Sequence, residues 1–333
     1  MPGDALDVTA VGHAIVDVIA PATEEDLELH GLVKGSMILV DADQVEATYA
    51  AMGPAVESSG GSAANTVAGV ASFGGAAAFV GKVRDDQLGR VFTHDIRSIG
   101  VEFSTPPATE GEATALCLVM VTTDAQRTMT TYLGAARRLA AEDIDRDLVT
   151  RSQITYLEGY LWDPPDAISA LVQAMAWAHD AGQRVAFTLS DPFCVDRHRQ
   201  EFLGLLAAGS IDVLFANEVE ALSLFDVTSL DEVLSAARGT CEIVAITRGP
   251  AGSVVVADGD VVEVPAEPVD EVVDTTGAGD LYAAGFLFGL THAADLEMCA
   301  RLGSVAAAEV ISHVGARPQT SLAALAVPIF RHP

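Results

Sequence analysis

Asp274-Thr275-Thr276-Gly277-Ala278-Gly279-Asp280 runs directly into the apolar stretch Leu281 to Leu290. The spacing predicts a helix over about 279–290, entered through a glycine-rich turn. Gly277 and Gly279 allow close backbone approach, and the first N–H groups of a helix have no intrahelical partner. Together with the positive end of the helix dipole, they suit an anion such as phosphate. Asp280 stands beside that place, where a carboxylate can take the proton of an attacking hydroxyl, as a small-molecule phosphotransferase requires. The same segment also reads as an Asp cap on a helix behind a glycine turn, so the choice rests on the rest of the chain.

Apolar runs rich in Val, Ile and Phe predict strands near Val8–Val11, Ala78–Val83, Ala115–Thr122, Thr128–Leu133, Ile154–Glu158, Val185–Leu189, Val213–Ala216, Ile243–Thr247 and Ser253–Val256. Helical spacing falls between many of them, most clearly over 63–73, 87–99, 165–181, 197–207, 218–224, 230–237 and 295–313. From Ile154 to Thr247 strand and helix alternate, the pattern of a parallel sheet covered on both faces. Such sheets bind ligands beyond the carboxyl ends of their strands. The alternation breaks over about 16–44 and 101–133, where strand-like pieces follow one another. These segments suit either a small β lid that keeps water from phosphoryl transfer or an antiparallel extension of the main sheet. With no repeat and no linker, one domain over 1–333 is expected.

Other motifs line up with the first. Gly60-Gly61-Ser62-Ala63-Ala64-Asn65 is a diglycine turn leading into a helix; it offers backbone amides and the Asn65 amide to hydroxyls, or is simply a tight turn. Asn217 and Glu220 fall one helical turn apart at the end of a strand, able to organise magnesium through water or to form a capping box. Thr247-Arg248-Gly249 closes another strand with a hydroxyl, a cation and a flexible turn. Asp17, after an apolar strand, can accept hydrogen bonds from two vicinal hydroxyls or start a turn.

Composition narrows the function. The chain has 333 residues, half of them hydrophobic, and a formal charge of −29, with Lys34 and Lys82 its only lysines. So acidic a chain is not expected to bind nucleic acid or anionic membrane through a basic patch; a salty cytoplasm would suit it. The four cysteines are scattered, against both a zinc site and a disulfide scaffold. Met1 to Asp7 lacks the basic start of a signal peptide and no run reaches transmembrane length, so a cytoplasmic location is expected. No GxGxxG follows the first strand, and neither GxxxxGK[ST], GxSxG nor HExxH occurs.

Taken in order, these pieces resemble the ribokinase-like, or PfkB, family of carbohydrate and nucleoside kinases over nearly the whole chain, with its adenosine kinase branch the most similar. Gly159-Tyr160, Leu189-Ser190-Asp191-Pro192-Phe193 and Leu214-Phe215-Ala216-Asn217-Glu218 support the match. The resemblance implies an α/β fold, a three-layer αβα core with a mostly parallel sheet and a small β-sheet lid. It implies ATP as donor, magnesium, and phosphorylation of the 5′-hydroxyl of a nucleoside, adenosine to AMP above others. Asp280 would be the base, and Gly277, Ala278 and Gly279 the anion hole. Asp17, Gly61, Ser62 and Asn65 would hold the ribose side. Ile15, Leu133 and Tyr160 would form the base slot, unless Tyr160 is a core residue. Arg127 would approach the phosphates, with Asn217, Thr247, Arg248 and Gly249 on the nucleotide and Asn217 and Glu220 organising Mg2+. Asp274 and Thr276 stand where many members bind K+. His13 replaces the usual Asn of the nucleoside kinases, which keeps other nucleosides and simple sugars open as acceptors. A sugar kinase of the ribokinase, fructokinase or 2-keto-3-deoxygluconate type, and a nucleotide-binding regulator that lost the chemistry, are the competing readings. Oligomeric state, monomer or homodimer, is open.

Overall fold

The alternation of apolar side chains along the central strands sorts them onto two faces. Val8, Ala10, Ile154, Tyr156, Ala186, Val213, Phe215, Ile243 and Ala245 share one buried cluster; Val11, Leu157, Val185, Phe187, Leu214, Ala216, Val244 and Ile246 share the other. A strand turns successive side chains to opposite faces, so a sheet buried on both needs near-continuous apolar runs. The computed structural model describes residues 4–124 and 126–331 and bears this out. Residues 1–3 of the Met1–Asp7 stretch, residue 125 and residues 332–333 of the expected 1–333 domain lie outside the described residues.

The strands are β1 (Leu6–Val11), β2 (Ile15–Pro21), β3 (Met37–Leu39), β4 (Val56–Gly60), β5 (Ala77–Val80), β6 (Glu102–Phe103), β7 (Ala115–Val121), β8 (Arg127–Tyr132), β9 (Ser152–Glu158), β10 (Arg184–Thr188), β11 (Val213–Asn217), β12 (Ile243–Thr247), β13 (Ser253–Ala257) and β14 (Asp260–Val264). Nine form one sheet in the order β14-β13-β12-β11-β10-β9-β1-β5-β6. It is parallel from β12 to β6, and β13 and β14 continue it antiparallel. Helices Ser62–Phe73, Ala278–Thr291 and Leu296–Ile311 cover one face, and Pro165–Asp180, Pro192–Ala207 and Glu218–Phe225 the other. This is the α/β three-layer class the sequence implies.

The remaining five strands form a second, smaller sheet in the order β3-β8-β7-β2-β4, not an antiparallel extension of the first. Strand β4 lies outside the segments 16–44 and 101–133, and Glu102–Phe103, inside them, is an edge strand of the large sheet. The helix expected over 197–207 begins five residues earlier, because Asp191 caps it through the Cys194 N–H and Pro192 suits its first position. Among the described residues, no helix is long and apolar enough to cross a membrane.

Candidate active site

Strand β1 lies between β5 and β9, and the chain leaves it toward β5 first and reaches β9 only later. Connections therefore part on either side of β1, opening a crevice beyond the carboxyl ends of β1 and β9. Glu158, the last residue of β9, is fully buried there. Its Oε1 accepts from the His13 backbone N–H at 2.7 Å and lies 3.2 Å from His13 Nδ1, while Oε2 accepts from the Ala63 N–H at 3.0 Å. That clasp fixes the diglycine turn against the end of β1. Gly61 takes φ 96°, and a Cβ on it would fall 2.2 Å from the His13 carbonyl oxygen.

The helix that starts behind this turn carries Ser62 and Asn65 to Asp280. Ser62 Oγ donates to Asp280 Oδ1 at 2.7 Å, and Asn65 Nδ2 donates to Oδ2 at 2.9 Å. Asp280 lies in the first turn of helix Ala278–Thr291, entered through Gly277 at φ 79°. A Cβ on Gly277 would come within 2.8 Å of Ala316 Cβ, whereas Gly279 faces open space. Burial pushes the Asp280 carboxyl up to about 6; the bonds from Asn65 and Ser62 pull it down, as does the Arg317 charge, and Glu158 raises it. A carboxyl near 6 is mostly ionised at neutral pH and able to accept a proton.

Asp17 sits on β2 with its carboxylate folded over Gly60, where a Cβ would lie 2.2 Å from Oδ2. Burial raises it to about 6, against the charges of Arg317 and Arg127, while Asp280 raises it further. Arg317 donates through Nε to Ser59 O at 3.0 Å, through Nη1 to Ala64 O at 2.6 Å and through Nη2 to Ser59 Oγ at 2.9 Å. It thereby ties the end of β4 to the first turn of the next helix.

Three cavities adjoin this core. One of about 210 Å³ is lined by Ser62, Ser190, Asn217, Glu220, Thr247 and residues 277–280. A mainly apolar one of about 500 Å³ shares Thr247, Thr275, Ala278, Gly279 and Tyr282 with it and adds Gly249, Val269, Val272, Ala308 and Ile311. A third, about 510 Å³, is lined by His13, Tyr132, Leu133, Arg137 and Tyr160. Tyr160 joins the third to the first: its N–H donates to Ser190 Oγ and its hydroxyl to Ser190 O, both at 3.2 Å.

Other expected residues have different surroundings. Asn217 and Glu220 form a reciprocal cap, with Asn217 N–H and Nδ2 donating to Glu220 at 2.9 and 2.6 Å and Glu220 N–H to Asn217 Oδ1 at 2.9 Å. The capping reading holds, and both residues also line the cavity of about 210 Å³. Burial raises Glu220 to about 7, with Asp191 and Asp280 adding to the rise and the Asn217 N–H opposing it. Arg127 does not line the phosphate-sized cavity; its Nη2 lies 2.5 Å from Asp274 Oδ2. Asp274 also accepts from the Thr276 N–H at 3.1 Å and the Gly315 N–H at 3.0 Å, so its oxygens already face donors and a cation. Arg248 turns to Glu218 at 3.3 Å and lines none of the three cavities, and Ile15 pairs within the small sheet, also outside them. No cluster of three or more His, Cys, Asp or Glu placed for a metal occurs among the described residues.

Sequence reasoning passed over Glu158, Ser190 as a link between cavities, and Arg317. A Glu ending an apolar strand before Gly159 was a usable signal for the first. Ser190, at φ 74°, and Arg317 carry no local pattern that predicts their partners.

Comparison with known proteins shows the family and the fold. A family model described as pfkB family carbohydrate kinase matches residues 6–322. The crystal structure of adenosine kinase from Sinorhizobium meliloti is 51% identical, with a TM-score of 0.91 over 98% of this chain and 99% of that one. A probable sugar kinase protein from Rhizobium etli CFN 42 is 46% identical, with a TM-score of 0.92 over 98% and 99%. Adenosine kinase from Saccharomyces cerevisiae is 29% identical over 92% of this chain and 95% of its own. With its crevice at the β1 switch point and its Asp280 helix start, this chain belongs to the pfkB family of carbohydrate kinases, phosphotransferases that use an alcohol group as acceptor.

Proposed function

We propose that the protein transfers the γ-phosphoryl group of ATP to the 5′-hydroxyl of a nucleoside, adenosine above others. The observation that carries this reading is the Asp280 carboxylate, gripped by Ser62 and Asn65 at a helix start and lining a cavity that continues into an apolar slot. In this reading the donor base fills the slot beside Val272 and Ile311, and its phosphates reach the amides of Gly277, Ala278 and Gly279. Open space at Gly279 and the positive φ of Gly277 fit such a cradle. Thr247 and Gly249 line the path between the two.

The acceptor lies in the Tyr160 cavity, its ribose hydroxyls toward Asp17, Gly61 and Asn65 and its base against Tyr160 and Leu133. Asp280 takes the hydroxyl proton as the oxygen attacks in line, and the helix amides offset the growing negative charge. The small sheet serves as the lid that excludes water. Glu220 is a buried carboxylate without a cationic partner among the described residues, which fits a magnesium ion brought in with the nucleotide and reached through water. That ion supplies charge neutralisation on the phosphates. Arg127 already faces Asp274, so potassium at Asp274 and Thr276 enters no step.

A sugar kinase is the second reading, favoured by His13 and by the likeness to the Rhizobium etli protein. ATP consumption with magnesium across adenosine, inosine, guanosine, cytidine, ribose and fructose decides between them. Selective turnover of adenosine supports the nucleoside reading, and turnover of a free sugar overturns it.

A further inference from the structure

Helix Gln87–Ser98 buries Phe92 and Ile96, and its other side carries Arg90, Thr93, His94, Arg97 and Ser98. These stand at i, i+3, i+4, i+7 and i+8, one continuous helix face. They line a cavity of about 640 Å³ that shares no lining residue with the three described above, and whose other wall includes Arg84, Asp85 and Thr105. Three guanidinium groups and an imidazole thus meet there against one carboxylate, in a chain whose net charge is −29. An ordinary solvated face of so acidic a protein would be expected to carry the opposite balance.

The cations are also underused. Arg84 Nη1 is buried with no hydrogen-bond partner among the described residues. Arg97 spends Nε on the Phe103 carbonyl at 2.8 Å and Nη2 on the same oxygen at 2.5 Å, with no partner for Nη1 among the described residues. Among the described residues, Arg90 meets only Asp85, at 3.4 Å in solvent. Guanidinium forks with neighbouring hydroxyls match a tetrahedral oxyanion, and the volume exceeds that of a bare ion.

The same helix is tied from its inner side to the end of β4, next to the diglycine turn. Asp95 Oδ2 accepts from the Ser59 N–H at 2.7 Å and from Ser59 Oγ at 2.6 Å. Ser59 is in turn held by Arg317, whose charge acts on Asp17 and Asp280. We propose that the cavity binds a small phosphate-bearing metabolite and that its occupancy alters the acceptor side through Asp95 and Ser59.

Calorimetric titration at constant ionic strength tests this, with inorganic phosphate and glycerol 3-phosphate as probes and a nonhydrolysable ATP analogue saturating the helix-start cradle. The full chain is expected to bind phosphate under these conditions, and Arg84→Gln and Arg90→Gln each to weaken binding about tenfold or more with basal turnover unchanged. Tighter binding of glycerol 3-phosphate identifies a phosphomonoester as the occupant, and equal binding identifies phosphate itself. Phosphate is also expected to shift the acceptor KM of the wild type at least about twofold, and not that of Arg90→Gln. Arg90 is exposed, so its variant remains informative if Arg84→Gln does not fold. Absent binding with the cradle filled, or unchanged binding in both variants, overturns the site; binding without a KM shift overturns the coupling.

Discussion

Asn65 Nδ2 donates to Asp280 Oδ2 at 2.9 Å, joining the starts of two helices whose residues stand 215 positions apart. With Ser62 on the other oxygen, the carboxylate has one orientation and is partly withdrawn from water. Asp280→Asn is therefore expected to lower turnover by roughly two to four orders of magnitude with acceptor affinity largely kept, the scale of a lost general base. Steady-state kinetics checks it; near-normal turnover would remove Asp280 from the role.

The pH profile should show the same group. Asp280 must be ionised to accept a proton and titrates at about 6, so turnover is expected to fall as pH drops through about 6. The Asn65 bond favours the charged form. Asn65→Ala should therefore move this acidic limb upward, and a limb that moves downward contradicts the assignment.

Stability of the ligand-free protein carries the opposite cost. Asp17 and Asp280 lie near 6 and Glu220 near 7, all above their unfolded values. Between the unfolded and folded values the native state holds more protons, so these groups lower stability as pH rises through that window. The melting temperature of Asp280→Asn should fall less than that of the wild type as pH rises from the ordinary carboxylate value of 3.8 to about 6. Equal falls would mean that the burial of Asp280 costs the fold nothing.

Gly277 tests the helix start itself. An alanine there would be strained at φ 79° and would press on Ala316. Gly277→Ala should cost about 1–3 kcal/mol, measured by urea unfolding, and raise the KM for ATP. An unaltered unfolding midpoint would show that the turn relaxes freely.

Tyr160 separates the two substrate readings. If its ring stacks on a base, Tyr160→Ala should raise the KM for a nucleoside by roughly threefold to tenfold and leave that for a free sugar nearly unchanged. Equal effects on both would return Tyr160 to a packing role through Ser190.

The large sheet was legible because its strands are buried on both faces, which demands unbroken apolar runs; β12 was placed residue for residue. Short exposed strands such as Met37–Leu39 bury too little for any period to show, so the small sheet was drawn only in outline. At the site, glycines marked both turns, since few residues other than glycine take φ 79° or 96° without strain. Arg127 and Ile15 went astray for another reason: a residue on a correctly read strand can still turn toward Asp274, or stay within its own sheet, instead of entering a cavity.

The layers of this protein, the two glycine turns and the residues behind them, Asn65 and Asp280, were legible because periodicity, helix capping and backbone freedom are local properties written within a few residues. No local signal shows that Ser62 and Asn65 grip Asp280, that Glu158 clasps His13 and Ala63, or that Arg317 ties Ser59 to Ala64; these follow from the folded arrangement. Charge state and hydrogen-bond partner depend on burial and on groups brought together across the chain, and those are fixed through space once the sheet has closed.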